Sequence, residues 1–193
     1  MEKNIMHIHD VINKKENIDN DRYHRELKRQ RYISATKKKI SEYQWDYFIT
    51  LTFKHPVFQV DRVLRAVKQF VNKLSRKAYG GRSKKRVVCF AVIEKDKSDC
   101  YHVHLLLQDP TDNISNPERK KGFHLRREII IAWLQAGATT GNPARSSPDG
   151  EWMKPIFDVN EVIGYMLKHY SLDSDSPTTI VWEEASVDGR RIS

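Results

Sequence analysis

The hydrophobic residues of the chain recur with two different periods. Apolar side chains occupy every second position of Trp45–Lys54, which is typical of a β-strand. They recur at helical spacing through Gln59–Ala78, so this segment predicts an amphipathic helix that packs on a sheet and ends before Gly80. Two further apolar runs, Arg86–Glu94 and Tyr101–Leu107, are separated by a polar turn and predict a β-hairpin.

Patterns elsewhere predict further elements around this core. The polar segment Met1–Asn20 shows no clear period and is predicted to be a flexible arm. Polar loops at 109–122 and 139–150 contain glycine, proline or serine. The remaining predicted elements are a basic helix, an apolar helix, a strand, a capped helix and a final edge strand, namely Asp21–Tyr43, Leu125–Ala136, Trp152–Phe157, Asp158–Tyr170 and Thr178–Glu183.

The order of these elements indicates the fold class. A β-α-β-β-α-β succession predicts an α+β protein, a ferredoxin-like or RRM-like split β-α-β sandwich whose central antiparallel sheet has helices packed on one face. At 193 residues the chain has the length of one such domain. We therefore divide it into a basic N-terminal arm and helix (1–43), the sandwich domain (44–185) and a tail (186–193).

Two histidines share one face of the second hairpin strand. Successive side chains of a strand point to opposite faces, so His102 and His104 project together, while Val103 and Leu105 fill the other side. A register that pairs Glu94 with His102 adds a carboxylate to the histidines. One glutamate and two histidines favour a catalytic Mg²⁺ or Mn²⁺ over a structural zinc. The alternatives are a hydrogen-bonded polar patch and a solvated Glu94.

A tyrosine and a lysine share one face of the helix predicted at Asp158–Tyr170. Tyr165 and Lys168 are three residues apart, and a cation beside a phenol suits attack on a phosphodiester. Tyr170 is a second candidate nucleophile, but its offset of five residues turns it away from Tyr165 on a regular helix. The alternative is an ordinary amphipathic helix with Tyr165 at its edge.

Positive charge is in excess and is concentrated in two segments. The chain has 34 Lys and Arg against 25 Asp and Glu, a formal net charge of +9 and a pI near 9.5. Such a charge favours polyanions through counterion release. Basic residues are interleaved with tyrosines in Arg22–Lys39 and Lys73–Arg86, which suits DNA, although solvated helix faces are equally compatible. The predicted DNA-binding residues are Lys28, Arg29, Arg31, Arg82, Lys84, Lys85 and Arg86.

The sequence also predicts a compartment and excludes some activities. Cys89 and Cys100 are the two cysteines, and no secretory signal or membrane-spanning run is visible, so we expect a cytoplasmic protein with no disulfide and no membrane partner. Cys89 lies in an apolar strand and is expected in the core. No glycine-rich Walker loop is present, so the chain is not expected to be an ATP-driven helicase.

The motifs together resemble those of the HUH endonuclease superfamily, in particular its rolling-circle replication initiator (Rep) proteins. Phe48–Phe53 is similar to the first strand motif of these proteins, Tyr101–Leu107 to their metal-binding His-hydrophobic-His motif, and Tyr165–Lys168 to their Tyr-x-x-Lys nucleophile motif. Conjugative relaxases usually place the tyrosine ahead of a three-histidine motif. The order found here therefore favours a Rep protein.

The resemblance implies a metal-dependent nickase and strand transferase. Glu94, His102 and His104 would hold Mg²⁺ or Mn²⁺. Tyr165 would attack single-stranded DNA at a replication origin and form a 5′-phosphotyrosine link, with Lys168 at the phosphate. The freed 3′-hydroxyl would prime a host polymerase, and a host or separate helicase would open the duplex. Residues 44–185 would then be the endonuclease domain of a plasmid- or phage-encoded bacterial protein.

Three other functions fit parts of the sequence. Single-tyrosine HUH transposases share the same motif order. A non-catalytic nucleic-acid-binding module uses the same fold, but RNA-recognition domains display aromatic residues where this chain has histidines and a glutamate. A metal-dependent phosphodiesterase that uses water as its nucleophile would leave Tyr165 dispensable.

Overall fold

The structure is a computed structural model that describes residues 2–146, 151–172, 176–182, 185–187 and 190–191, with side chains described for 20–145, 151–172, 176–182 and 185. A short 3₁₀ turn, Thr111–Asn113, follows the third strand. The helices are α1 (Glu2–Ser41), α2 (Val60–Tyr79), α3 (Pro117–Gly122), α4 (Leu125–Leu134), α5 (Pro143–Ser146) and α6 (Val159–Met166). The strands are β1 (Tyr47–Leu51), β2 (Cys89–Lys95), β3 (Tyr101–Leu107), β4 (Met153–Pro155), β5 (Thr178–Ile180), β6 (Ser186–Val187) and β7 (Arg190–Arg191).

The strands form one antiparallel sheet. Its order is β4-β1-β3-β2-β6-β7, and β5 also pairs with β2. With α2 connecting β1 to β2 and α4 lying between β3 and β4 in the chain, this is the predicted α+β arrangement. The hairpin pairs Glu94 with His102, so the predicted register is confirmed.

One face of the sheet, here called the core face, is covered by α2 and α4. Apolar residues of both helices pack against alternate residues of the strands. Val103 and Leu105 point into this core, as predicted, and Cys89 is a fully buried member of it. Phe70 of α2 meets Trp133 of α4 edge to face, with ring centroids 5.9 Å apart. This face is a conventional hydrophobic core.

The opposite face, here called the site face, carries a smaller apolar cluster and two other helices. Phe90, Val92 and Leu106 project to this side and pack with Ile163 of α6 and Ile40 of α1. The sequence predicted the tyrosine helix here. That α1 also packs on this face is a new finding, and it follows from the apolar residues that recur at helical spacing in the C-terminal part of α1.

Two helices differ in length from their predictions. α1 is continuous from Glu2, through the segment predicted as a flexible arm, because no glycine or proline interrupts Glu2–Ser41. α6 begins as predicted, with the Asp158 carboxylate accepting hydrogen bonds from the backbone N–H groups of Asn160 and Glu161. It ends at Met166, however, and Lys168 lies in the turn that follows.

Parts of the predicted loops are helical. The Asn116 side chain accepts a hydrogen bond from the Arg119 backbone N–H at 2.8 Å, and Pro117 occupies the first position of α3. The loop prediction for 109–122 is therefore wrong over α3. In the predicted 139–150 loop, α5 forms and residues 147–150 lie outside the described residues. Within the predicted tail, β6 and β7 are described, whereas 188–189 and 192–193 are not.

Candidate functional site

Glu94, His102 and His104 meet on the site face of the sheet. His104 Nε2 lies 2.8 Å from Glu94 Oε2, and His102 Nε2 lies 3.3 Å from the same oxygen. One ligand atom from each residue fits within 4.8 Å of the others. Glu94 and His104 are buried and His102 is partly exposed, so the group opens towards solvent at His102. The strand pleat and the Glu94–His102 pairing together produce this convergence.

The ionisation of the group suits a cation. Burial would raise the pKa of Glu94, but the hydrogen bond and charge of His104, together with Lys168 and His102, outweigh it and lower that pKa below its usual value. Burial lowers the pKa of His104 to about 4, and the nearby His102 acts in the same direction. At neutral pH the site therefore presents a carboxylate and a neutral imidazole, the forms that bind metal ions.

The three residues could hold a metal ion. One carboxylate oxygen and two imidazole nitrogens leave coordination positions open, as in catalytic rather than closed structural sites. The predicted ligands are thus brought together by the fold.

Thr50 supports the inner histidine. Its Oγ1 lies 3.2 Å from His104 Nδ1, because β1 pairs Thr50 directly with His104. A hydroxyl both donates and accepts, so Thr50 can satisfy Nδ1 when Nε2 carries the proton and also when Nε2 is a bare ligand. Such a partner fixes the ring of a metal-binding histidine.

Phe48 joins the inner histidine to the candidate nucleophile. Its ring stacks on His104 with centroids 5.3 Å apart and meets the Tyr165 ring edge to face at 6.0 Å. The Tyr165 and His104 rings are 5.5 Å apart. The sequence analysis did not assign a role to Phe48 or Thr50, although the strand alternation that placed both on one face was the signal for it.

Lys168 connects the tyrosine to the acidic ligand. Its Nζ lies 4.0 Å from the centroid of the Tyr165 ring and 3.5 Å from Glu94 Oε1. Tyr165 is 47% exposed, so a phosphate can reach its hydroxyl. The predicted proximity of Tyr165 and Lys168 is present even though α6 ends between them.

Tyr170 has different surroundings. Its ring stacks on Tyr32 of α1 with centroids 5.0 Å apart and an interplanar angle of 17°. Burial, with the neighbouring charge and hydrogen bond of Tyr32, raises the pKa of Tyr170 to about 12. A phenol that resists ionisation is a poor nucleophile. The structure pairs Tyr165, not Tyr170, with the histidine group.

Arg29, predicted to contact DNA, is bonded to the chain around the nucleophile motif. Its guanidinium donates hydrogen bonds to the backbone carbonyls of Tyr170 and Lys168 and to the Glu26 carboxylate. These carbonyls follow the end of α6, where helix hydrogen bonds are lacking. Arg29 therefore ties α1 to the segment that carries Lys168.

The other predicted DNA-binding residues fall into two settings. The Arg86 guanidinium donates to Asn72 Oδ1 at 2.9 Å and is partly buried at the side of α2. The remainder are exposed and available to a polyanion, three on the loop before β2 and two on α1, namely Arg82, Lys84, Lys85, Lys28 and Arg31.

The fold and the site define an α+β protein with a Glu-His-His group beside an exposed tyrosine. A family model for the replication-associated protein ORF2 and its relatives matches residues 46–171, well over half of the chain and the whole of this site. The chain belongs to this family of replication-associated proteins. No curated protein and no solved structure matches the chain. Among the described residues, no helix is long and apolar enough to cross a membrane.

Proposed function

We propose that the protein is a replication initiator of the HUH type that nicks single-stranded DNA through a covalent tyrosine intermediate. The position of Lys168 carries the proposal, because its ammonium group contacts both the Tyr165 ring at 4.0 Å and the Glu94 carboxylate at 3.5 Å. A nucleophile, a cation and a set of metal ligands thus face the same volume. Membership of a replication-associated family supports a role at an origin.

The residues present fit a divalent cation, Mg²⁺ or Mn²⁺. Glu94, His102 and His104 would hold it, and Thr50 would keep the His104 ring in place. When bound, the ion would polarise the scissile phosphate and stabilise the charge that develops there.

Tyr165 performs the bond exchange in this proposal. Its hydroxyl oxygen attacks the phosphorus and forms the tyrosine–phosphate bond, while the phenol proton passes to solvent. The bond from phosphorus to the 3′-oxygen breaks, and that oxygen takes the electron pair and a proton. Lys168 places positive charge beside the phosphate during the exchange. The products are a 5′-phosphotyrosine link and a free 3′-hydroxyl.

The covalent link accounts for a role in replication. It retains the phosphodiester energy, so attack by a later 3′-hydroxyl on the same phosphorus reseals the strand and releases Tyr165. The first 3′-hydroxyl is a primer for a host polymerase, and a separate helicase supplies the open strand. We place this activity in a bacterial cytoplasm, on plasmid or phage DNA.

A covalent-adduct assay tests the proposal. The full chain is mixed with a diverse single-stranded DNA pool and Mn²⁺, and DNA-linked protein is detected on a denaturing gel. We expect an adduct with wild type and with Tyr170→Phe, the matched control, and a loss of about a thousand-fold or more with Tyr165→Phe. His102→Ala or chelation of the metal should also abolish the adduct.

Other outcomes would point elsewhere. Cleavage without an adduct that survives Tyr165→Phe would assign the reaction to water. DNA binding with no cleavage, after selection of a tight-binding sequence from the pool, would favour the non-catalytic module. An adduct lost in Tyr170→Phe alone would move the nucleophile to Tyr170.

A further inference from the structure

A pocket of about 500 Å³ lies on the site face beside Tyr165. Its lining residues come from alternate positions of β1, from the β4 edge and from one side of α6, and include Phe48, Thr50, Thr52, Trp152, Glu161 and Tyr165. Its volume falls within the range of small-ligand pockets, about 300–1,000 Å³. Because Tyr165 forms part of its wall, whatever fills it lies next to the attacked phosphate.

The charges around the pocket oppose a phosphate. Glu151 and Glu161 both line it, and the lysine among its described lining residues, Lys154, is paired with Glu151 at 2.8 Å. Carboxylates repel phosphate oxygens but accept hydrogen bonds from the amino and imino groups of nucleobases. The aromatic rings that line the pocket, Phe48, Trp152 and Tyr165, offer faces on which a base stacks.

Two polar groups of the pocket lack partners. The indole Nε1 of Trp152 is buried and has no hydrogen-bond acceptor among the described residues. Trp152 itself is only 2% exposed. The Glu161 carboxylate, in the first turn of α6, is exposed and forms no side-chain hydrogen bond or ion pair within the described part of the chain. A buried donor without an acceptor is costly unless a ligand supplies one.

We propose that this pocket binds one unpaired base of the strand whose phosphate Tyr165 attacks, and that the best-matched base is guanine. The inference rests on the function proposed above. Guanine presents two adjacent donors, N1–H and the N2 amino group, to the two oxygens of Glu161, and its O6 accepts from Trp152 Nε1. The pocket then fixes which nucleotide lies beside the scissile phosphate, and it is a specificity element of the nick site.

Binding without cleavage tests this pocket. The full chain is titrated, in the absence of metal, with a short strand of abasic residues that carries one central guanine, adenine, cytosine or thymine, or no base. We expect guanine to bind about tenfold more tightly than the base-free strand. Glu161→Gln and Trp152→Phe should reduce that gain to near zero. Glu118→Gln, which alters an exposed first-turn glutamate on α3, should retain it.

The outcomes separate this proposal from the nicking chemistry. Equal affinity of wild type for strands with and without a base would overturn the pocket, as would a guanine gain that persists in both variants. A larger gain with another base would overturn the assignment of guanine. Since no metal or covalent step is involved, a failed adduct assay leaves the base preference intact, and loss of the preference leaves adduct formation unaffected.

Discussion

The core face and the site face are built from alternate residues of the same three strands, β1, β2 and β3, yet they bury different groups. On the core face, strand residues such as Val103 and Leu105 meet only an apolar layer from α2 and α4. On the site face the same strands bury Glu94 and His104 next to Phe90 and Val92. A strand pleat lets one short sequence contribute to folding on one side and to chemistry on the other.

The site face loses stability by this arrangement. Burying a carboxylate and an imidazole costs free energy that their mutual hydrogen bond only partly recovers. The core face has no such cost and is the expected source of most of the stability. Substitutions on the two faces should therefore separate folding from function.

Removal of a core-face aromatic side chain should give the largest loss of stability. Phe70 is fully buried against Trp133, so Phe70→Ala leaves a cavity and is expected to cost about 3–5 kcal/mol of unfolding free energy. Chemical denaturation measures this loss. Adduct formation per folded molecule should stay at the wild-type level. Tyr165→Phe is the opposite case, with unchanged unfolding and no adduct, and a parallel fall of activity and stability in both variants would contradict the division.

Metal binding should stabilise the site face by a smaller amount. An ion present at a hundredfold excess over its Kd raises the unfolding free energy by about 2.7 kcal/mol. Thermal unfolding with and without Mn²⁺ should show this increase in wild type and not in Glu94→Gln. Glu128→Gln is the matched control, because Glu128 is also a buried glutamate but lies on α4 beside Arg127. Its apo protein should be less stable and should keep the Mn²⁺ shift.

The outcome of that pair is informative in both directions. A Mn²⁺ shift that survives in Glu94→Gln would place the ion elsewhere. Loss of the shift in Glu128→Gln would indicate that the variant has disturbed the whole sheet, and the control would then have to be an exposed glutamate.

The two faces also differ in how far the sequence predicts them. Period-2 alternation fixes which strand residues share a face, and turn length limits the register, so the convergence of Glu94, His102 and His104 follows from local pattern. The packing of α1 on the site face does not, because Ile40 and Ile163 are distant in the chain and no local period encodes their meeting. The end of α6 at Met166 was missed for a related reason, since Arg29 of α1 bonds the carbonyls beyond it.

Thr50 gives the most selective distinction between ligand and support. Thr50→Val keeps the shape of the side chain but leaves His104 Nδ1 without its hydroxyl partner, so metal affinity is expected to fall about tenfold to a hundredfold. Titration of Mn²⁺ into the apo protein measures the Kd. Thr50→Ser should restore most of the affinity, because it returns the hydroxyl.

Thr140→Val is the control for this substitution. Thr140 is a buried threonine whose hydroxyl donates to the Gly137 carbonyl at 2.7 Å, away from the histidines, so its loss should lower stability without changing the Kd. An unchanged Kd in Thr50→Val would mean that ring packing alone holds His104, and Phe48, stacked on His104 at 5.3 Å, would then be the supporting residue. A weakened Kd that serine restores would instead assign the orientation of the inner ligand to one hydroxyl of β1, on the face that the core does not use.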